Sequence, residues 1–228
     1  MGKLLGSGVL IVWVDLDPAV ESLADRWYVT EHLPERISEA GYLRARRYRA
    51  LAGGPAYMSV FEAATPDALA SDGYRRITAT ISPLSQRIRA GFRRCIRSTH
   101  HRIASAGGAS GGIILCVRLD FADSTQRSAF VQWAERSLAT WVAAHGAILA
   151  AHALAPARDV RERMDSFRAS GQQDEWADGV LLIELSRPQD AEGDLLRALS
   201  PEALAAAGMH ARTITTAVYQ LMVEFSTA

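Results

Sequence analysis

The 228-residue chain has almost no lysine: of 25 basic residues only Lys3 is one, and the others are arginine. It has no surplus of charge either, because 25 acidic residues balance the basic ones. Without a basic excess there is no long-range field to gather phosphates, so nucleic acid and anionic membrane surfaces are not expected partners. Cysteine is scarce: Cys95 and Cys116 are too far apart for a metal-ligand spacing and too few for a disulfide framework. No apolar run approaches the roughly 20 residues that span a bilayer. The run Val9 to Val14 reads as a strand, too short and mild in its setting for a signal peptide. P-loop, GxGxxG, HxH and HExxH patterns are missing, which leaves no motif for a dedicated metal site, and "GGASGG" (107–112) lies between two strands and reads as linker. With 49% apolar and 22% charged residues, the expectation is a globular protein of the cytoplasm.

What is present is written twice. "GVLIVWVDLD" (8–17) and "GGIILCVRLDF" (111–121) are apolar runs that reach an aspartate, as buried strands do. An amphipathic stretch with a tryptophan follows each, Trp27 or Trp133, and then a glycine suited to a helix end, Gly41 or Gly146. "YLRARRYRAL" (42–51) and "ILAAHALAPA" (148–157) are the next strands. "AYMSVFEAATPDALAS" (56–71) and "GVLLIELSRPQDAEG" (179–193) are each a strand with a proline-primed helix. "RCIRSTHHRIA" (94–104) and "RTITTAVYQLMVEF" (212–225) close the halves. Each half spells β-α-β-β-α-β, the ferredoxin-like unit. The expected fold is α+β: a tandem duplication of ferredoxin-like units whose two antiparallel sheets lie face to face, an α/β-barrel pseudo-dimer within one chain. Residues 1–104 form the repeat carrying the site, 105–111 a small-residue linker, and 112–228 a diverged repeat with a polar insertion at 158–176, readable as a lid or an outer helix.

One segment carries a motif. "WYVTEHLPERI" (27–37), followed by "GYLRARRYRAL" (41–51) and the "AYMSVFEA" strand, resembles the dimeric α/β-barrel superfamily, in particular its EthD-like and related tandem members. The resemblance implies a ligand cavity between the sheets. It also implies one of several chemistries: cofactor-free oxygenation, polyketide cyclisation, lactone isomerisation or haem chemistry. Fold alone does not choose among them.

The residues narrow the choice. Asp17 suits an N-cap and Pro18 the first helical position, while Trp27 falls on the apolar stripe as a core residue. Tyr28, His32 and Arg36 form a second stripe at i, i+4, i+8, flanked by Glu31 and Glu35. Pro34 is expected to end or kink the helix near His32. A histidine titrates near neutrality and a neighbouring carboxylate can orient it, so His32 is the candidate acid–base. The second half has no such stripe in "WAERSLATWVAAHG". Strand alternation turns Tyr42, Arg44, Arg46 and Tyr48 toward the cavity, opposite a smooth wall of Ala147, Leu149, Ala151 and Ala153. The arginines left on the other face, Arg47 and Arg49, hint at a bulge.

These readings assemble into a cofactor-independent enzyme that transfers protons on a hydrophobic aromatic or polyketide-like molecule, as an isomerase, lyase or cyclase. His32 acts with Tyr28, Glu31 and Arg46; Tyr42, Arg44, Tyr48, Trp13, Arg36 and His101 hold the substrate. No cofactor or metal is expected, although the resemblance leaves haem open. A cofactor-free monooxygenase, a non-catalytic binding protein and a haem-binding barrel are the alternatives, and a homodimer of such chains is compatible with each.

Overall fold

The computed structural model describes residues 4–167 and 175–227. Among them, eight strands close into one barrel: β1 (Gly8–Leu16), β2 (Arg44–Ala52), β3 (Tyr57–Ala63), β4 (Phe92–Gly107), β5 (Ile113–Asp120), β6 (Ile148–Pro156), β7 (Gly179–Leu185) and β8 (Thr213–Ser226). The order around the barrel is β1-β3-β2-β8-β5-β7-β6-β4, and every neighbouring pair is antiparallel. Each half therefore has the same strand permutation, β4-β1-β3-β2 and β8-β5-β7-β6. The two facing sheets expected from the sequence are joined at their edges, β2 to β8 and β4 to β6. Closure satisfies the N–H and C=O rows that open sheets would leave unpaired.

β4 is longer than the sequence suggests. Ser105 to Gly107, expected as linker, continue the strand and pair with His152, Ala151 and Ala150 of β6. Only residues 108–112 remain as the crossing between the halves.

In the first half a 3-10 turn (Pro18–Val20) leads into α1 (Glu21–Trp27), a π-helical turn (Tyr28–His32) and α2 (Leu33–Ser38); α3 (Asp72–Ala79) and α4 (Pro83–Ala90) follow β3. The second half has α5 (Ser124–Ala144), α6 (Arg158–Ser166), α7 (Asp194–Ala198) and α8 (Pro201–Ala206). Side-chain caps start several of them: Asp17 accepts from the Ala19 N–H, Ser71 from Tyr74, Ser82 from Ser85 and Asp123 from Gln126. Each such cap contributes about 1 kcal/mol. No helix among the described residues is long and apolar enough to cross a membrane.

Three cores result. One fills the barrel with residues of both halves, including Ile11, Trp13, Met58, Val60, Ile114 and Leu182. A second packs α5, through Phe130, Trp133, Leu138 and Val142, onto the outer face of the second half. The third lies between the first-half strands and helices, around Trp27, Tyr28, Leu33, Tyr42 and Phe61. Val160 and Met164 of α6 belong to this third core. The start of the 158–176 insertion is thus an outer helix of the other half; its residues 168–174 lie outside the described ones.

Candidate functional site

The lining of the barrel is ordered in rows. Trp13, Met58 and Tyr48 stand side by side on β1, β3 and β2; Ile11, Val60 and Arg46 form the next row, and Val9, Glu62 and Arg44 the next. Glu62 accepts from Arg44 Nε at 2.7 Å, Arg44 Nη2 at 3.1 Å, Arg46 Nη2 at 3.1 Å and the Leu5 N–H at 2.7 Å. Arg46 Nη1 reaches across the barrel to Glu184 on β7, also at 3.1 Å. Glu184 accepts from the Gly111 N–H at 2.8 Å and lies 3.6 Å from His152 Nε2, whose Nδ1 pairs with Ser105 Oγ at 2.8 Å. Burial works to raise the Glu184 carboxyl, but His152, the Arg46 charge and the Gly111 N–H hold it down at about 2. Two guanidiniums and two carboxylates cancel, so this network is a closed brace between the halves, and its arginines are already committed.

The notable concentration of rings lies on the other side of the first-half strands, under α1 and α2. His32 stacks on Trp27 with ring centroids 4.2 Å apart and planes 24° apart. Tyr28 and Phe61 meet the imidazole edge-on, at 5.1 and 5.9 Å. Phe61 continues the series to Tyr42 at 6.0 Å, and Tyr42 stacks on Tyr74 at 6.4 Å. Protein atoms surround His32, yet the side chain keeps some accessible surface, and its buried Nδ1 has no hydrogen-bond partner among the described residues. That combination makes the ring-lined layer between helices and sheet, where His32 keeps its accessible surface, the candidate recess. Burial pushes the imidazole well below its ordinary pKa, and the charges of Arg36, Arg89 and Arg47 push the same way. Both effects favour the neutral imidazole.

The stacking depends on the π-helical turn. In an α-helix, residues five apart point about 140° away from each other. Here the Leu33 N–H bonds to the Tyr28 carbonyl, five residues back, and the widened turn brings Trp27 and His32 onto one face. Of the two outcomes expected of Pro34, an end or a kink near His32, the helix does not end there, and the irregularity just before it is the wide turn Tyr28–His32. Pro34 opens α2, at a position where its missing N–H costs little.

The other sequence-derived candidates divide between the two sides. Arg44, Arg46 and Tyr48 do point into the barrel, as strand alternation required, and Trp13 joins them. Tyr42 does not: it precedes β2, escapes the alternation, and donates its hydroxyl to the Leu69 carbonyl at 2.8 Å on the helix side. Glu31 does not orient His32; Trp27 Nε1 donates to it at 3.1 Å, Ser82 Oγ at 2.7 Å and Ser85 Oγ at 2.5 Å. His101 faces outward and is exposed, while His100 is the buried member of the pair, held near 3 by burial. Arg36 and Tyr28 are both buried at the recess. Arg47 lies there too, 3.8 Å from the Tyr28 ring centroid, with Nη2 2.9 Å from Asp25. The bulge hinted at by the outward arginines falls between Arg47 and Tyr48 in the pairing with β8.

The wall opposite is not smooth. Ala151 and Ala153 face α5, and a one-residue difference in register turns His152 inward. Sequence reasoning missed Glu62, Glu184 and His152. The available signal was a carboxylate inside an apolar strand in both halves, "VFEA" and "LIEL".

An eight-stranded antiparallel α+β barrel with a helix-covered recess is the class that fold and site define. No protein-family description and no curated protein sequence matches the chain. Solved structures of similar fold exist. An anthrone oxidase-like protein superposes with a TM-score of 0.61 at 11% identity, over 96% of this chain and 92% of that one. A monooxygenase-like protein of Fusobacterium nucleatum gives 0.61 at 8% identity, over 98% and 96%. A mutant chlorite dismutase of Candidatus Nitrospira defluvii gives 0.58 at 13% identity, over 97% and 94%. Likeness at such identities is a likeness of fold.

Proposed function

We propose that the chain is an enzyme that moves a proton on a small aromatic or polyketide-like molecule held in the recess, with His32 as its acid–base group. The observation carrying this reading is an enclosed imidazole, ring-stacked but still accessible, whose Nδ1 is unpartnered. Among the described residues His100 also has unpartnered ring nitrogens but is wholly buried; His32 differs in keeping accessible surface among aromatic rings. Held toward its neutral form, it can accept a proton from an acidified carbon or hydroxyl and return it elsewhere on the same molecule. The rings of Trp27, Tyr28 and Phe61 favour a flat, apolar substrate. The likeness of "WYVTEHLPERI" to EthD-like proteins and a duplication origin of the two halves belong to the same proposal.

The test is solvent-deuterium incorporation into a panel of phenols and aromatic acids, followed by NMR. The expected result is exchange by the wild type and a loss of roughly 100- to 10,000-fold in His32→Gln, with the fold retained. Undiminished exchange in that variant removes His32 from the chemistry. A second reading, oxygenation without a cofactor, draws support from the fold shared with oxidase- and monooxygenase-like proteins. Turnover that stops under nitrogen selects it, and a Soret band in the purified protein would replace both readings with haem chemistry.

A further inference from the structure

We infer that Arg36 is the anion anchor of the recess and that the substrate carries a carboxylate there, one helical turn from His32. This rests on the proposed function for the identity of the recess, and deepens it by naming the substrate class.

Arg36 is only 4% exposed. Each of the other buried arginines of the first half has a partner. Arg44 and Arg46 hold Glu62, Arg47 holds Asp25, and Arg97 meets Asp165 at 2.6 Å. Arg36 has none of this kind. Among the described residues the carboxylate paired with it is Glu35 at 4.0 Å, itself 36% exposed, and its buried Nη1 makes no hydrogen bond to any of them. The guanidinium carbon lies 5.4 Å from the Tyr74 ring centroid, at the end of the ring series that begins at His32. A buried cation whose counter-charge among the described residues is a partly exposed carboxylate 4.0 Å away is costly. A substrate carboxylate supplies the missing partner in the forked geometry that guanidinium prefers.

The spacing gives the anchor a second effect. The charged and titratable groups around His32 are Arg36, Arg47, Arg89 and Tyr28, and among the charges Arg36 opposes imidazolium most. A carboxylate on Arg36 cancels much of that opposition. His32 then becomes a better proton acceptor only when the correct substrate is bound.

The experiment compares 2-naphthoate with uncharged 2-naphthamide by calorimetry and thermal shift, in the wild type, Arg36→Met, Arg36→Lys and His32→Gln. The expected results are preference for the acid in the wild type, a loss of roughly 10- to 100-fold for the acid alone in Arg36→Met, and partial retention in Arg36→Lys. Without ligand, Arg36→Met should melt no lower than the wild type, since it removes a buried charge that is only loosely paired with Glu35. The His32 NMR titration should move upward with naphthoate and stay in place with naphthamide. Equal binding of the two probes, binding of neither, unchanged acid affinity in Arg36→Met, or failure of that variant to fold would each overturn the anchor. If His32→Gln keeps both proton exchange and the acid preference, the acid–base reading falls while Arg36 stands.

Discussion

At the scale of residues, burial sets the charge states. The unfolded His100 imidazole takes up its proton near pH 6.5, whereas in the barrel it does so only near 3. Below pH 6.5 the unfolded chain therefore binds more protons, and stability falls as pH drops through this window; above 6.5 the residue contributes nothing. His32, also depressed, adds to the same slope. The lowered Glu184 extends the loss from about pH 4.5 toward 2 as its carboxylate is titrated. His100→Leu should unfold in urea at midpoints that change less between pH 7 and 4 than those of the wild type. An unchanged acid slope would show that His100 protonates freely in the folded protein.

At the scale of elements, the π-helical turn decides what the recess contains. Val29, at its outer side, is 44% exposed. Deleting Val29 should restore α-helical bonding and turn His32 off Trp27. The expected result is a folded protein with unchanged far-UV dichroism that has lost proton exchange; retained exchange would show that the wide turn is incidental. This element also marks the limit of sequence reading. The strands of both halves and their order of appearance were legible in apolar alternation, and so were the capping residues Asp17 and Pro18. The His32 stripe was legible as chemistry but not as place, because a 3.6-residue period assumes that the helix never widens. Tyr42 was misplaced for a like reason: alternation holds inside a strand, and β2 begins only at Arg44. A barrel was expected, but the edges that close it were not visible in the strand patterns, since pairing such as β4 with β6 joins residues about fifty positions apart.

At the scale of the whole molecule, Arg46 ties the halves by holding Glu62 of one and Glu184 of the other. Arg46→Met takes from Glu184 its guanidinium partner, leaving His152 and the Gly111 N–H beside it, and should destabilise the protein by about 3–5 kcal/mol in urea unfolding. Combining Arg46→Met with Glu184→Leu should recover much of that loss, because the uncompensated charge goes with its partner. Equal losses in the single and double variants would show that the brace acts through packing and not through charge.

The position of α6 means that chain order and spatial membership disagree. Its Asp165 pairs with Arg97 of β4, and its Val160 and Met164 fill the hydrophobic layer above Tyr42 and Phe61, although all three lie downstream of the 108–112 crossing. A gene cut at that crossing would therefore not yield two autonomous modules. The upstream fragment would be born with an uncovered apolar roof and the downstream one with an orphan helix. Each would remain dispersed only when synthesised beside the other.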